Sequence, residues 1–135
     1  FIHAFKTGLR AVMTAHVLYL ELDPDYSATM SDSIINETLR EKQGFDGIVI
    51  TDDMEMKAIS NRYTIEDAGI LSIHAGADIL LICHSRDKQL TMLESLLEAV
   101  EGGEIEEERI DKSLNRLIKL KKDFIKTTPL FVSRG

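Results

Sequence analysis

The chain has 135 residues, enough for one domain with its own core and too few for two. Hydrophobic residues make up 44% and charged residues 29%, a balance that folds rather than staying disordered. The net charge of −7 argues against nonspecific binding to nucleic acid or to an anionic membrane.

Three segments read as strands, in chain order Ala11 to Leu18, Gly47 to Thr51 and Asp78 to Cys83. Each is almost continuously apolar rather than alternating, the pattern of strands covered on both faces. Between the first two lies a polar stretch from Glu21 to Ser31 with Pro24, expected to be a long functional loop. A helix is predicted from Ser31 to Glu41, with Ile34, Ile35 and Leu39 at helical spacing and Ser31 as N-cap. Thr64-Ile65-Glu66-Asp67 is a capping signature that opens a helix to Ala75, with Gly76 as its stop. Asp87 to Val100 carries Leu90, Leu93, Leu96 and Leu97 on one face and ends at Gly102-Gly103. Glu106 to Ile125 runs from Glu-rich to Lys-rich, the polarity that suits a helix dipole. Residues 127–135 read as a tail.

The predicted order β-α-β-α-β-α-α implies an α/β fold of parallel strands joined by right-handed crossovers. No apolar run reaches the ~20 residues of a membrane-spanning helix. The single cysteine, Cys83, lies in an apolar run and is expected to be buried and inert. Because the chain begins at Phe1 rather than Met, it is expected to be a piece of something longer.

The run from Gly44 to Met56 (Gly-Phe-Asp-Gly-Ile-Val-Ile-Thr-Asp-Asp-Met-Glu-Met) carries the most chemistry. A β-branched strand ends in Asp52 and Asp53, where α/β folds keep their reactive groups. Three readings compete for this pair. Asp52 with Glu55 three residues on forms a capping box. One carboxylate serves as nucleophile or acid/base, or the two form an Mg²⁺ site. Neighbouring residues of a strand face opposite ways, so the two do not share one task. His16 sits late in the first strand and reads either as a hydrogen-bonded core histidine or as a site residue. His84 follows the third strand. His3, His74 and His84 have no metal-ligand spacing, and the glycine-rich nucleotide motifs and the Gly-x-Ser-x-Gly elbow are absent from the sequence. No metal or organic cofactor is expected.

Four ordered blocks carry a resemblance: Ala11 to Val17, Asp23 to Ser31, Gly44 to Met56 and Ala75 to Ile82. Together they resemble the bacterial β-N-acetylhexosaminidases of glycoside hydrolase family 3, from the first strand to about Lys122. The resemblance implies a TIM (β/α)₈ barrel, of which residues 1–126 would supply strands 6–8. It implies a carbohydrate substrate and retaining hydrolysis, with Asp52, after Thr51, as nucleophile. Met13 and His16 would fall on the segment that lines the sugar subsite.

The family's strand-5 motif of the Lys-His-Phe-Pro-Gly-His-Gly type, with its acid/base His-Asp dyad, is absent from this sequence, as are the sugar-holding Arg and Asp of earlier strands. Leu20 and Ser27 stand where many relatives have proline. The isolated chain is therefore expected to lack glycosidase activity and to self-associate through open barrel edges. Two other readings stand beside this one. One is a flavodoxin-like receiver module with an acidic Mg²⁺ pair, and the other a non-catalytic scaffold fragment.

Overall fold

The computed structural model describes residues 2–127. The elements run α1 (Ile2–Lys6), β1 (Ala11–Met13), π1 (Ser33–Lys42), β2 (Ile48–Asp53), α2 (Lys57–Ser60), α3 (Ile65–Ala75), β3 (Ile79–Leu81), α4 (Arg86–Glu101) and α5 (Glu107–Thr127). The sheet order is β1-β2-β3, parallel throughout, with Val12 opposite Val49 and Ile50 opposite Ile79. The α/β class and the order of the strands match the sequence pattern. The short helices α1 and α2 are additions. The predicted tail from 128 onward lies outside the described residues, and Thr127 closes α5.

The strand boundaries differ in a consistent way. β1 stops at Met13 instead of Leu18, and β3 stops at Leu81 instead of Cys83. The middle strand runs two residues further than predicted and takes Asp52 and Asp53 into the ladder. Ile48 and Val49 of β2 are buried, whereas β1 and β3 are at most half-buried. Covering on both faces therefore fails for the outer two, because they are the edges of a three-stranded sheet.

The caps explain the helix limits. Ser31 Oγ accepts the Ile34 amide at 3.2 Å, Thr64 Oγ1 the Asp67 amide at 3.1 Å, and Ser85 Oγ the Lys88 amide at 3.3 Å. Gly76 ends α3 at φ +110°, a conformation that suits glycine. The first predicted helix is wound more widely than an α-helix, and at its end the Gln43 amide reaches back five residues to the Thr38 carbonyl.

Three apolar clusters fill the interior. Ile35, Phe45, Val49, Ala75 and Ala77 pack beneath the sheet with Phe5. Met30, Met54, Ile59 and Ala68 close the end that carries the carboxylates. Ile73, Ala99 and Ile105 join α3, α4 and α5. Of the leucine face of α4, Leu96 packs against this core, whereas Leu90, Leu93 and Leu97 are exposed and Met92 and Ala99 are the buried residues of the helix.

The inward face of α5 is mixed, with Ile110 on the last of these clusters and polar residues beside it. Arg109, Ser113 and Arg116 recur at helical spacing and converge on Asp78, just before β3. The buried Asp78 carboxylate accepts from Ser113 Oγ at 2.6 Å, Arg40 at 2.7 Å, the Val49 amide at 2.9 Å and Arg116 at 3.0 Å. Arg40 and Arg109 also cap the carbonyls of Gly47, Gly76, Ile73 and Ala77. This staple fixes the amino-terminal ends of the strands, the end opposite Asp52.

Candidate active site

The site begins with a break in the ladder between β2 and β3. From Ile50 to Asp53 the middle strand takes three steps, while β3 takes two from Ile79 to Leu81. The fully buried Thr51 bridges the gap, its Oγ1 accepting the Leu81 amide at 3.0 Å in place of a carbonyl. Pairing resumes where the Met54 amide donates to Leu81 O at 2.8 Å. Such bulges re-aim a side chain, and the side chain here is Asp52, half-buried at the carboxyl end of the central strand.

Asp52 and Asp53 have different surroundings. Asp52 Oδ1 accepts the Asp53 amide at 2.8 Å, and its Oδ2 has no hydrogen-bond partner among the described residues. The Asp53 carboxylate faces neighbouring loops. Its Oδ1 accepts the Glu55 amide at 3.1 Å and the Cys83 amide at 3.3 Å, and His84 Nε2 lies 3.5 Å from Oδ2. One carboxylate is open and the other is engaged, the separation of tasks that strand geometry predicts.

The capping-box reading of Asp52 does not hold. The short helix α2 has Met56 as N-cap with no side-chain cap bond, and Asp53 closes the preceding turn. Glu55 reaches across to the loop after β3, where Oε2 accepts the His84 amide at 2.6 Å and the Ser85 amide at 3.1 Å. Lys88 Nζ lies 3.4 Å from Oε1. Partial burial alone would raise the Glu55 carboxyl, but these amides and the Lys88 ammonium outweigh it and hold it below the usual range.

Cys83 is exposed rather than buried, because β3 ends two residues before it. Desolvation and the nearby Asp53, Glu55 and Asp52 carboxylates push its thiol above the ordinary value, so it stays protonated. Among the described residues, no three His, Cys, Asp or Glu side chains are arranged to hold a metal ion. The Mg²⁺ reading of the acidic pair also meets the difficulty that Asp53 already serves two amides.

Met13 ends β1 opposite Ile50, at the carboxyl end of the sheet, and is 59% exposed. His16 is half-buried and both ring nitrogens are engaged. Nδ1 lies 2.8 Å from Thr29 Oγ1, and Nε2 lies 3.0 Å from the Asp53 carbonyl oxygen. Thr14 Oγ1 lies 2.9 Å from Thr29 Oγ1. The sequence reading missed the roles of Thr14, Thr29 and Thr51; Thr14 and Thr51 stand out only as hydroxyls in apolar runs, and Thr29 is one polar residue among several in its loop. A cavity of about 290 Å³ at the opposite end of the strands, lined by Phe5, Arg10, Phe45 and Leu120 among others, takes no part in this site.

Three parallel strands with an open carboxylate at the carboxyl end of the central one define an α/β protein whose candidate site lies where such folds keep their reactive groups. The family model described as Glycosyl hydrolase family 3 N terminal domain matches residues 1–120, and the chain belongs to this family. It is 32% identical over 117 residues to a beta-hexosaminidase of Nitrosomonas eutropha, an alignment covering 84% of this chain and 33% of that protein. Against the structure of a glycoside hydrolase family 3 beta-N-acetylglucosaminidase from Paenibacillus sp. it has a TM-score of 0.92 at 41% identity, covering 100% of this chain and 26% of that one. CbsA from Thermotoga neapolitana gives a TM-score of 0.83 at 40% identity, over 89% of this chain and 27% of that one. The chain thus spans about a quarter to a third of the length of these relatives. Among the described residues, no helix is long and apolar enough to cross a membrane.

Proposed function

We propose that this chain is a segment of a retaining β-N-acetylhexosaminidase and supplies strands 6–8 of its (β/α)₈ barrel. Asp52 is the nucleophile in this reading. It attacks the anomeric carbon of a terminal N-acetylglucosaminide, the aglycone leaves with a proton from an acid outside this chain, and water then releases the sugar from the ester. The observation that carries the reading is the open Oδ2 of Asp52 at a strand end, with Oδ1 held by the Asp53 amide. A nucleophilic carboxylate must be both exposed and rigidly held. The names of the similar proteins support the sugar class, with peptidoglycan- or chitin-derived N-acetylglucosaminides as substrates. The exposed Met13 would border the sugar.

The acid/base partner belongs to barrel strands that this sequence does not supply, so the chain alone is inactive in this account. The edges β1 and β3, and the exposed leucine face of α4, are then surfaces that the rest of a barrel would cover. Alone, they favour self-association. The test is to complete the barrel with the upstream strands of a relative and to measure turnover of a 4-nitrophenyl N-acetylglucosaminide. The completed protein is expected to turn over, and Asp52→Ala to lose on the order of 10³-fold or more. Unchanged turnover in Asp52→Ala would overturn the assignment.

A further inference from the structure

We propose that His16 is a positioning residue for the Asp52 carboxylate, acting through Asp53 in a single ring tautomer set by the Asp53 carbonyl and completed by Thr29 and Thr14. This deepens the nucleophile reading and rests on it for its functional meaning, although the geometry stands by itself.

The direction of each bond follows from donor and acceptor chemistry. The Asp53 carbonyl oxygen only accepts, so His16 Nε2 carries the hydrogen in the 3.0 Å contact. In the neutral ring Nδ1 is then an acceptor, and the Thr29 hydroxyl donates to it across 2.8 Å. The Thr29 oxygen, its hydrogen committed, accepts from the Thr14 hydroxyl at 2.9 Å. Thr29 is fully buried, so water does not compete for it. The order Thr14 to Thr29 to His16 to Asp53 is therefore directional and ends on the backbone beside the nucleophile.

The consequence lies in what Asp53 does next. Its amide donates to Asp52 Oδ1 at 2.8 Å, so the orientation of this residue sets where the nucleophile's second oxygen points. His16 pins the carbonyl side from the segment after β1, and the Cys83 amide pins the side chain from the β3 side. The Met56 amide adds a local bond to the same carbonyl at 3.0 Å. Among these ties, His16 alone links the peptide to the segment after β1. A ring with both nitrogens committed has no polar atom left for a sugar, which separates this role from the subsite contact expected from the sequence.

The test uses the chain itself. Long-range ¹⁵N–¹H correlation spectra above neutral pH should show His16 as the Nε2–H tautomer. Exchange protection of the Asp53 amide should fall about tenfold in His16→Ala and recover in His16→Gln, whose side-chain amide replaces the Nε2 donor. These readouts need no turnover, so they stand or fall apart from the glycosidase reading. An Nδ1–H tautomer in the unaltered chain would overturn the proposal. So would Asp53 protection unchanged in His16→Ala, and so would a Gln variant as impaired as the Ala variant.

Discussion

Thr51 Oγ1 accepts the Leu81 amide at 3.0 Å, where a backbone carbonyl would stand in a regular ladder. The hydroxyl makes the extra residue of β2 tolerable, and that residue turns Asp52 toward the open end of the sheet. Thr51→Val keeps the shape and removes the acceptor, leaving a buried amide unpaired. We expect a loss of about 1–3 kcal/mol by urea unfolding, with Thr51→Ser keeping most of the stability. Equal stability of Val and Thr would mean that the bulge does not depend on this bond.

The Asp78 staple should dominate acid sensitivity. Burial alone would raise the Asp78 carboxyl, but Ser113, the Val49 amide, Arg40 and Arg116 outweigh it and hold it below its ordinary 3.8. A carboxyl depressed in the folded state binds its proton more readily when unfolded. Its contribution is therefore complete above about pH 4 and lost as pH falls through the lower folded value. Asp78→Asn should flatten stability against pH in that acid window. Arg40→Met, which breaks a buried pair, should cost about 3–5 kcal/mol at neutral pH. Denaturant midpoints across the pH range check both.

Two glycines should respond differently to alanine. A Cβ at Gly47 would lie 2.5 Å from the Arg10 carbonyl oxygen, a backbone atom with little freedom to move. At Gly69 the obstacle is the flexible end of Met92. We expect Gly47→Ala to cost about 1–3 kcal/mol and Gly69→Ala clearly less. Thermal unfolding of the two variants gives the ranking.

The exposed leucines of α4 and the open edges of β1 and β3 lead us to expect a dimer or larger species of the isolated chain. Light scattering at tens of micromolar should show a mass above 15.2 kDa. Lys at Leu93 and Leu97 should lower it. A monodisperse monomer across this range would contradict the expectation.

Much of this arrangement is legible in the sequence. The apolar runs locate three parallel strands, and Thr64, Ser31 and Gly76 mark helix limits through local hydrogen bonds that need no tertiary knowledge. The outer strand limits are not legible, because the apolar residues after Met13 and Leu81 look like strand although no partner extends the ladder. The face of α5 misleads in the opposite sense, since burial of Arg109, Ser113 and Arg116 depends on Asp78, far upstream in the chain. At the site, the separation of Asp52 from Asp53 follows from strand alternation. The bonds of Thr51 and His16 do not, because they join segments 30 and 37 residues apart.

The account rests on Asp52 as a nucleophile, and covalent trapping tests it most directly. The completed barrel would be incubated with an activated fluorinated N-acetylglucosaminide that forms the glycosyl ester quickly and hydrolyses slowly. Peptide mass spectrometry should place one sugar on Asp52, with no adduct in Asp52→Ala. A sugar carried by Asp53 or by another residue, or turnover with no trapped ester, would contradict it.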